Sequence, residues 1–158
     1  CDEVDNNCDG DNNETWWDSY EENESVTSYY DLGEVDDGFL WAGDVLTISG
    51  LTMHGPGDED WFHFDVDDEW YDNAEFFVQA GGLPSAGGAS FTLELWDLNG
   101  SKPVLEDSDS GSGKLTVYFE GAITDTSEDN WAVALYSNTW VDLSCTSTYD
   151  LYIDTNGF

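Results

Sequence analysis

The sequence predicts an all-β protein, an antiparallel β-sandwich preceded by an extended N-terminal arm. Three observations lead there. Apolar residues recur with a period of two in short runs, Gly, Asp, Ser and Pro separate those runs, and no stretch carries the apolar spacing of an amphipathic helix. A chain of 158 residues accommodates one such domain with a short appendage.

The first 37 residues differ from the rest. They are polar and acidic, with aromatic pairs at Trp16-Trp17 and Tyr29-Tyr30 and no sustained period. This segment reads as an arm that holds on by its rings, along its own domain or on a neighbouring molecule. Residues 38–158 then form the sandwich. "DVLTISGLTM" alternates, and "DWFHFDV" places Phe62, Phe64 and Val66 on one face. "AEFFVQA" follows, and "SFTLELWDLNGS" sets Phe91, Leu93 and Leu95 together before an Asn-Gly turn. "KLTVYFEG", "NWAVALYS" and "TYDLYIDT" supply Leu115, Val117 and Phe119, then Trp131, Val133 and Leu135, then Tyr149, Leu151 and Ile153. Short alternating strands at this spacing are the signature of a sandwich.

Charge narrows the function. Thirty-six Asp and Glu face two lysines, Lys102 and Lys114, for a formal charge of -34. Two lysines assemble no basic patch, so nucleic acid is excluded as a partner and anionic membrane surfaces are disfavoured. No apolar run reaches the length of a membrane span. Aromatics at 15% separate the chain from disordered acidic sequences, which lack the rings to build a core. High salt or solubility accounts for some of the acidity; bound divalent cations account for it more pointedly.

The opening "CDEVDNNCDGDNNE" concentrates the question. Like charges near 5 Å repel by ~3 kcal/mol even at an effective dielectric of 20, which favours a cation among them. Asp5-x-Asn7-x-Asp9-Gly10 matches the first half of an EF-hand calcium loop, where oxygens at alternate positions converge on a hard cation and Gly permits the reversal. Asp11 would then offer its carbonyl and Asn13 the next ligand. Trp16 occupies the position of the usual bidentate Glu, leaving Glu14 or Asp18 as substitutes. Calcium is therefore the expected cofactor.

Three cysteines leave the pairing open. A Cys1–Cys8 bridge would contribute roughly 2.5 kcal/mol in the chain-entropy model, with Cys145 a buried thiol. A lipidated Cys1 with a Cys8–Cys145 bridge would contribute roughly 5 kcal/mol. A bond between molecules is the third arrangement. A chain that begins at Cys1 reads as a processed, secreted form, and the sequons at Asn13, Asn23 and Asn99 become glycosylation candidates in that setting.

Two resemblances add to these readings. Cys1, Asp2, Asp5, Asn6, Cys8, Asp9 and Gly10 are similar to the short Cys-Asp metal-binding motif of bacterial surface proteins. That likeness implies a secreted context and a cation held by loop carboxylates, and it favours the Cys1–Cys8 pairing. From about Gly33 onward, the chain resembles the bacterial pre-peptidase C-terminal domain. The likeness is carried by Asp58-Glu59-Asp60-Trp61-Phe62-His63-Phe64, by Leu93-Glu94-Leu95-Trp96-Asp97-Leu98-Asn99-Gly100 and by Tyr149-Asp150-Leu151-Tyr152-Ile153. "NWAVALYS" replaces that family's usual Gly-x-Tyr strand. The resemblance implies a jelly-roll-like sandwich without catalysis of its own, and by analogy a cation at Asp58 and Asp60 together with Asp97 or Asp107.

No enzymatic motif competes. The two histidines, His54 and His63, accompany no Gly-x-Ser-x-Gly elbow and no H-E-x-x-H spacing. His63 is expected on the outward face of its strand. The expectation is thus a non-catalytic, secreted structural or adhesive protein of a bacterial cell surface or extracellular fibre. It would be stabilised by calcium and assembled head to tail through the arm. The alternative is a glycan- or collagen-binding accessory module of a secreted enzyme, with Trp70, Tyr71 and Trp140 available to stack on a polysaccharide.

Overall fold

The computed structural model describes residues 19–36, 43–53, 58–67, 75–120, 129–139 and 148–155. The described residues form nine strands: β1 (Tyr30–Asp36), β2 (Val45–Thr52), β3 (Glu59–Asp67), β4 (Glu75–Gly81), β5 (Ser90–Asp97), β6 (Val104–Gly111), β7 (Lys114–Glu120), β8 (Asp129–Thr139) and β9 (Thr148–Asp154). They make a five-stranded sheet of order β1-β3-β8-β5-β6 and a four-stranded sheet of order β2-β9-β4-β7. The chain changes sheet at every connection from β1 to β9 except β5 to β6.

The period-two runs explain the packing. Phe62, Phe64 and Val66 from β3, Phe91, Leu93 and Leu95 from β5 and Trp131, Val133 and Leu135 from β8 face Phe76, Val78, Leu115, Val117, Leu151 and Ile153 of the other sheet. Each such side chain contributes about 1.5–3 kcal/mol by leaving water. Phe76 sits at the centre, edge-on to Phe64 at 5.6 Å and to Trp131 at 5.0 Å.

β2 departs from simple alternation. Its register with β9 shifts between Ser49 and Leu51, at Gly50 with φ +80°. The extra residue moves the buried phase, so Ile48 and Leu51, rather than Ile48 and Gly50, point inward.

Three expectations change. The sandwich is mixed, because β1 pairs parallel with β3 through Tyr30↔Phe62 and Val35↔Val66. A parallel pair needs a long crossover, and the stretch holding β2 in the opposite sheet supplies it. Second, the arm, read as having no strand period, contributes β1: Val35 joins the core and Tyr20 packs against it. Third, the three cysteines form no disulfide bond, which corrects the expected Cys1–Cys8 bridge. Spacing along a chain does not set the Cα separation of about 4.4–6.8 Å that a disulfide requires. Cys1, Cys8 and Cys145 themselves lie outside the described residues.

The open edges of both sheets need protection. β6 and β7 meet at a turn through Ser112 and Gly113, one strand in each sheet. On β6, Asp107 and Asp109 take the inward positions opposite Leu95 and Leu93. Asp109 Oδ2 accepts from the Thr116 amide at 2.9 Å, and Asp107 Oδ2 accepts from the Tyr118 amide at 2.8 Å. Two carboxylates thus occupy the edge that another strand would otherwise pair with.

Candidate functional site: the N-terminal strap and the two sheet faces

The segment from Ser19 to Tyr29 runs beside β3 before entering β1, with Tyr20 against the main core. Tyr20 meets Tyr30 edge-on at 4.7 Å and Phe62 at 6.1 Å. The Asn23 carbonyl accepts from the Trp61 amide at 2.8 Å, and Val26 packs against the small cluster of Trp61, Ala132 and Ala134. Tyr29 then stacks on His63, with centroids 4.7 Å apart and planes 22° from parallel.

His63 does lie on the outward side of β3, yet it is only 7% exposed because this strap covers it. Its Nδ1 is 3.1 Å from Asp31 Oδ1 on β1. Its Nε2 is 3.4 Å from Asn130 Oδ1 on β8 and 3.6 Å from Asp65 Oδ1. One ring therefore ties the arm strand, the adjacent strand and the sheet centre together. The hydrogen bond from His63 lowers the Asp31 carboxyl below its ordinary value, and the Gly33 amide adds to the effect.

Beside the strap, Trp61 and Trp96 lie 5.9 Å apart over Ala132 and Ala134. Glu59 Oε2 accepts from Trp61 Nε1 at 2.9 Å. Glu94 accepts from Trp96 Nε1 at 3.1 Å and from the Tyr136 hydroxyl at 2.7 Å. Burial, and then the bond to Glu94, raise the Tyr136 hydroxyl above its ordinary value.

The outer face of the four-stranded sheet is built differently. Register aligns Val45, Asp154, Phe77 and Tyr118 in one outward row, with Thr47, Tyr152, Gln79 and Thr116 in the next. Phe77 lies 6.2 Å from Tyr118 and 5.8 Å from Tyr152, so three rings step across β7, β4 and β9. Tyr118 is 49% exposed. The Tyr152 hydroxyl donates to Asp154 at 3.0 Å, and this bond raises it above the ordinary tyrosine value.

The expected site residues scatter. Asp5, Asn7, Asp9, Asp11, Asn13 and Glu14 lie outside the described residues, as do Trp70, Tyr71, Trp140 and His54. Asp60 is buried and accepts from the Tyr149 hydroxyl at 2.6 Å, while Asp58 stands half-buried before β3. The register does not bring Asp97 to them: Asp60 is level with Leu135 and Leu93, whereas Asp97 is level with Trp131 and Phe64. Asp107, on β6, is engaged at the β7 edge. Among the described residues, no group of three or more His, Cys, Asp or Glu is placed to hold a metal ion, and no helix is long and apolar enough to cross a membrane. Asn23 is 1% exposed, whereas Asn99 is exposed at the turn after β5, where its Oδ1 accepts from the Asn130 amide.

Sequence reasoning passed over His63, Trp61 and the Phe77 row as a group. Their outward parity was visible, but the strap that covers His63 and the register that aligns the rings on the other sheet were not.

No protein-family model matches the chain, and no functionally characterised protein matches it in sequence. Among solved structures, it is similar to the Yersinia pseudotuberculosis-derived mitogen, with a TM-score of 0.46 and 17% identity over 70% of this chain and 83% of that one. It is also similar to CorA, a surface-associated copper-binding protein of Methylomicrobium album BG8, with a TM-score of 0.38 and 7% identity over 70% of this chain and 91% of that one. These likenesses concern the course of the backbone and carry nothing about ligand or activity.

Proposed function

We propose that this chain is a non-catalytic structural building block, secreted and calcium-stabilised, of a bacterial cell surface or extracellular fibre, joined head to tail through its N-terminal arm. The observation that carries the reading is the role of β1. It closes the five-stranded sheet as a parallel edge strand, and it buries Val35 against a core built from later segments. An edge strand held by parallel pairing, the buried Val35 and a histidine clasp makes the same contacts whether its own chain or a neighbour supplies it. Exchange of such an element links copies through a heterologous contact, which propagates when it does not close.

The strand orders support a jelly-roll arrangement: β2 to β9 divide between the sheets as 2-9-4-7 and 3-8-5-6, with β1 added beside β3. The resemblance to pre-peptidase C-terminal domains supports the non-catalytic, extracellular setting. Calcium is supported by the charge of -34 and by the Asp5-x-Asn7-x-Asp9-Gly10 spacing.

The test uses the Glu34↔Asp65 register of β1 and β3. With the native cysteines replaced by serine, Glu34→Cys and Asp65→Cys are introduced together and oxidised in millimolar calcium. Exchange between copies gives a ladder of covalent multimers on a denaturing gel and filaments by electron microscopy, both lost when a chelator is added before oxidation. A monomer by light scattering, with the cross-link closed inside one chain, refutes the assembly.

A further inference from the structure

We infer that the outer face of the four-stranded sheet is a binding platform for an uncharged polysaccharide, centred on Tyr118, Phe77 and Tyr152. This goes beyond the building-block reading and does not depend on it. Phe77 is the starting point, because it stands at an outward position of a central strand whose inward positions Phe76, Val78 and Ala80 already fill the core. Tyr118 beside it leaves 49% of its surface exposed. Cross-strand packing alone accounts for a ring pair. Here three rings step across three strands at 6.2 and 5.8 Å, with neutral hydrogen-bonding groups in the adjacent row.

The chemistry of the surroundings selects the occupant. Gln79, Thr116 and Thr47 form the adjacent row, and Asp154, Glu75 and Glu120 flank the rings. Amides, hydroxyls and carboxylates next to aromatic faces suit a ligand with apolar C–H faces and a rim of hydroxyls, which is a pyranose chain. An anionic polymer is repelled by a chain of formal charge -34, and the same charge opposes a second copy laid face to face. The stepwise spacing of its rings, 6.2 and 5.8 Å, suits an extended chain with successive sugars over successive rings.

Native affinity electrophoresis tests this, with hydroxyethylcellulose, laminarin, polygalacturonate and gelatin cast separately in the gel. The expected result is retardation by a neutral glucan. Tyr118→Ala and Tyr152→Ala each weaken it about ten-fold, and Tyr118→Phe, which keeps the ring, preserves it. Thermal melting of each variant is recorded alongside, and Tyr118→Gln serves in place of Tyr118→Ala if that variant does not fold. No retardation by either neutral glucan overturns the inference. So does equal retardation of the parent and the ring-less variants, or retardation by polygalacturonate or gelatin alone. Because the surface lies on the sheet opposite β1, a failed cross-linking test leaves this result unchanged, and the reverse also holds.

Discussion

Val35 decides whether the arm is part of the folded unit or a loose appendage. It is 2% exposed in β1, paired with Val66 and inside the main core cluster. Val35→Ala removes two methyl groups, each worth about 0.8 kcal/mol in transfer from water. A residual cavity adds to that cost, although an edge strand can settle inward and recover part of it. Together these give a loss of about 1.5–2.5 kcal/mol. For a domain of this size, each kcal/mol corresponds to about 2–4 °C, so the melting temperature should fall by roughly 3–10 °C.

Thermal and urea unfolding followed by tryptophan fluorescence give both numbers. Ionic strength and calcium must be held fixed, because screening of so many carboxylates changes stability by itself. Val117→Ala, at 0% exposure on β7, is the matched comparison in the other sheet, and Glu34→Gln, exposed on β1 itself, is the control for an innocuous change. If the arm unfolds with the body, Val35→Ala and Val117→Ala fall together while Glu34→Gln stays within about 0.5 kcal/mol of the parent. A Val35→Ala shift below about 0.5 kcal/mol, with Val117→Ala behaving as expected, refutes the reasoning. It would mean that β1 opens as a separate unit of low stability and that its valine adds nothing to the global transition.

Two further outcomes follow from local geometry. Gly50 has φ +80° and no atom within 4 Å of a Cβ built on it, so Gly50→Ala is disfavoured by backbone conformation alone, by about 1–2 kcal/mol in a urea melt; a neutral result would show that the bulge relaxes. The Asp31 carboxyl is held below the ordinary aspartate value, first by the hydrogen bond with His63, so its contribution to stability is complete above that ordinary value and disappears as pH falls through the lower folded one. A carbon-13 titration of the Asp31 carboxyl should show the lowered midpoint and its return toward the ordinary value in His63→Ala, and an unmoved midpoint would remove the clasp.

Seven of the nine described strands were legible as period-two runs, because alternate positions in them carry the large apolar side chains of the main core. β1 and β6 were not, for different reasons. In β1 the register shifts between Asp31 and Glu34, around Gly33 at φ +79°, which breaks the alternation before a run can form. In β6 the inward positions are Asp107 and Asp109, so a hydropathy pattern reads the strand as a loop. The burial of His63 was illegible for a third reason. Its cover comes from Tyr29, far upstream and in a segment with no period of its own. Outward parity could be read from the strand, but exposure depends on what a distant segment lays over it. The Phe77 row shows the same limit, since each ring was readable as outward while only the strand register places the three side by side.

The carboxylates bear on the calcium reading in a way that composition alone hides. A chain with two lysines cannot satisfy its acids with salt bridges, and the described residues satisfy many of them with neutral donors instead. Asp31, Asp97, Asp107, Asp109 and Asp150 accept from backbone amides. Glu59 and Glu94 accept from indole N–H groups, and Asp60, Glu94 and Asp154 from tyrosine hydroxyls. A hydrogen bond to an ionised acceptor stabilises it most where water is excluded, as at the buried Asp60–Tyr149 pair, and so offsets part of the repulsion between neighbouring carboxylates. Acidity within the sandwich is therefore partly structural, with tryptophan and tyrosine as donors. Any calcium requirement then belongs to carboxylates that are not used this way. The Asp5–Glu14 stretch carries the spacing proposed for calcium, so on that proposal replacing Asp5 and Asp9 with Asn should abolish any calcium-dependent rise in melting temperature while leaving the metal-free melting temperature of the sandwich unchanged.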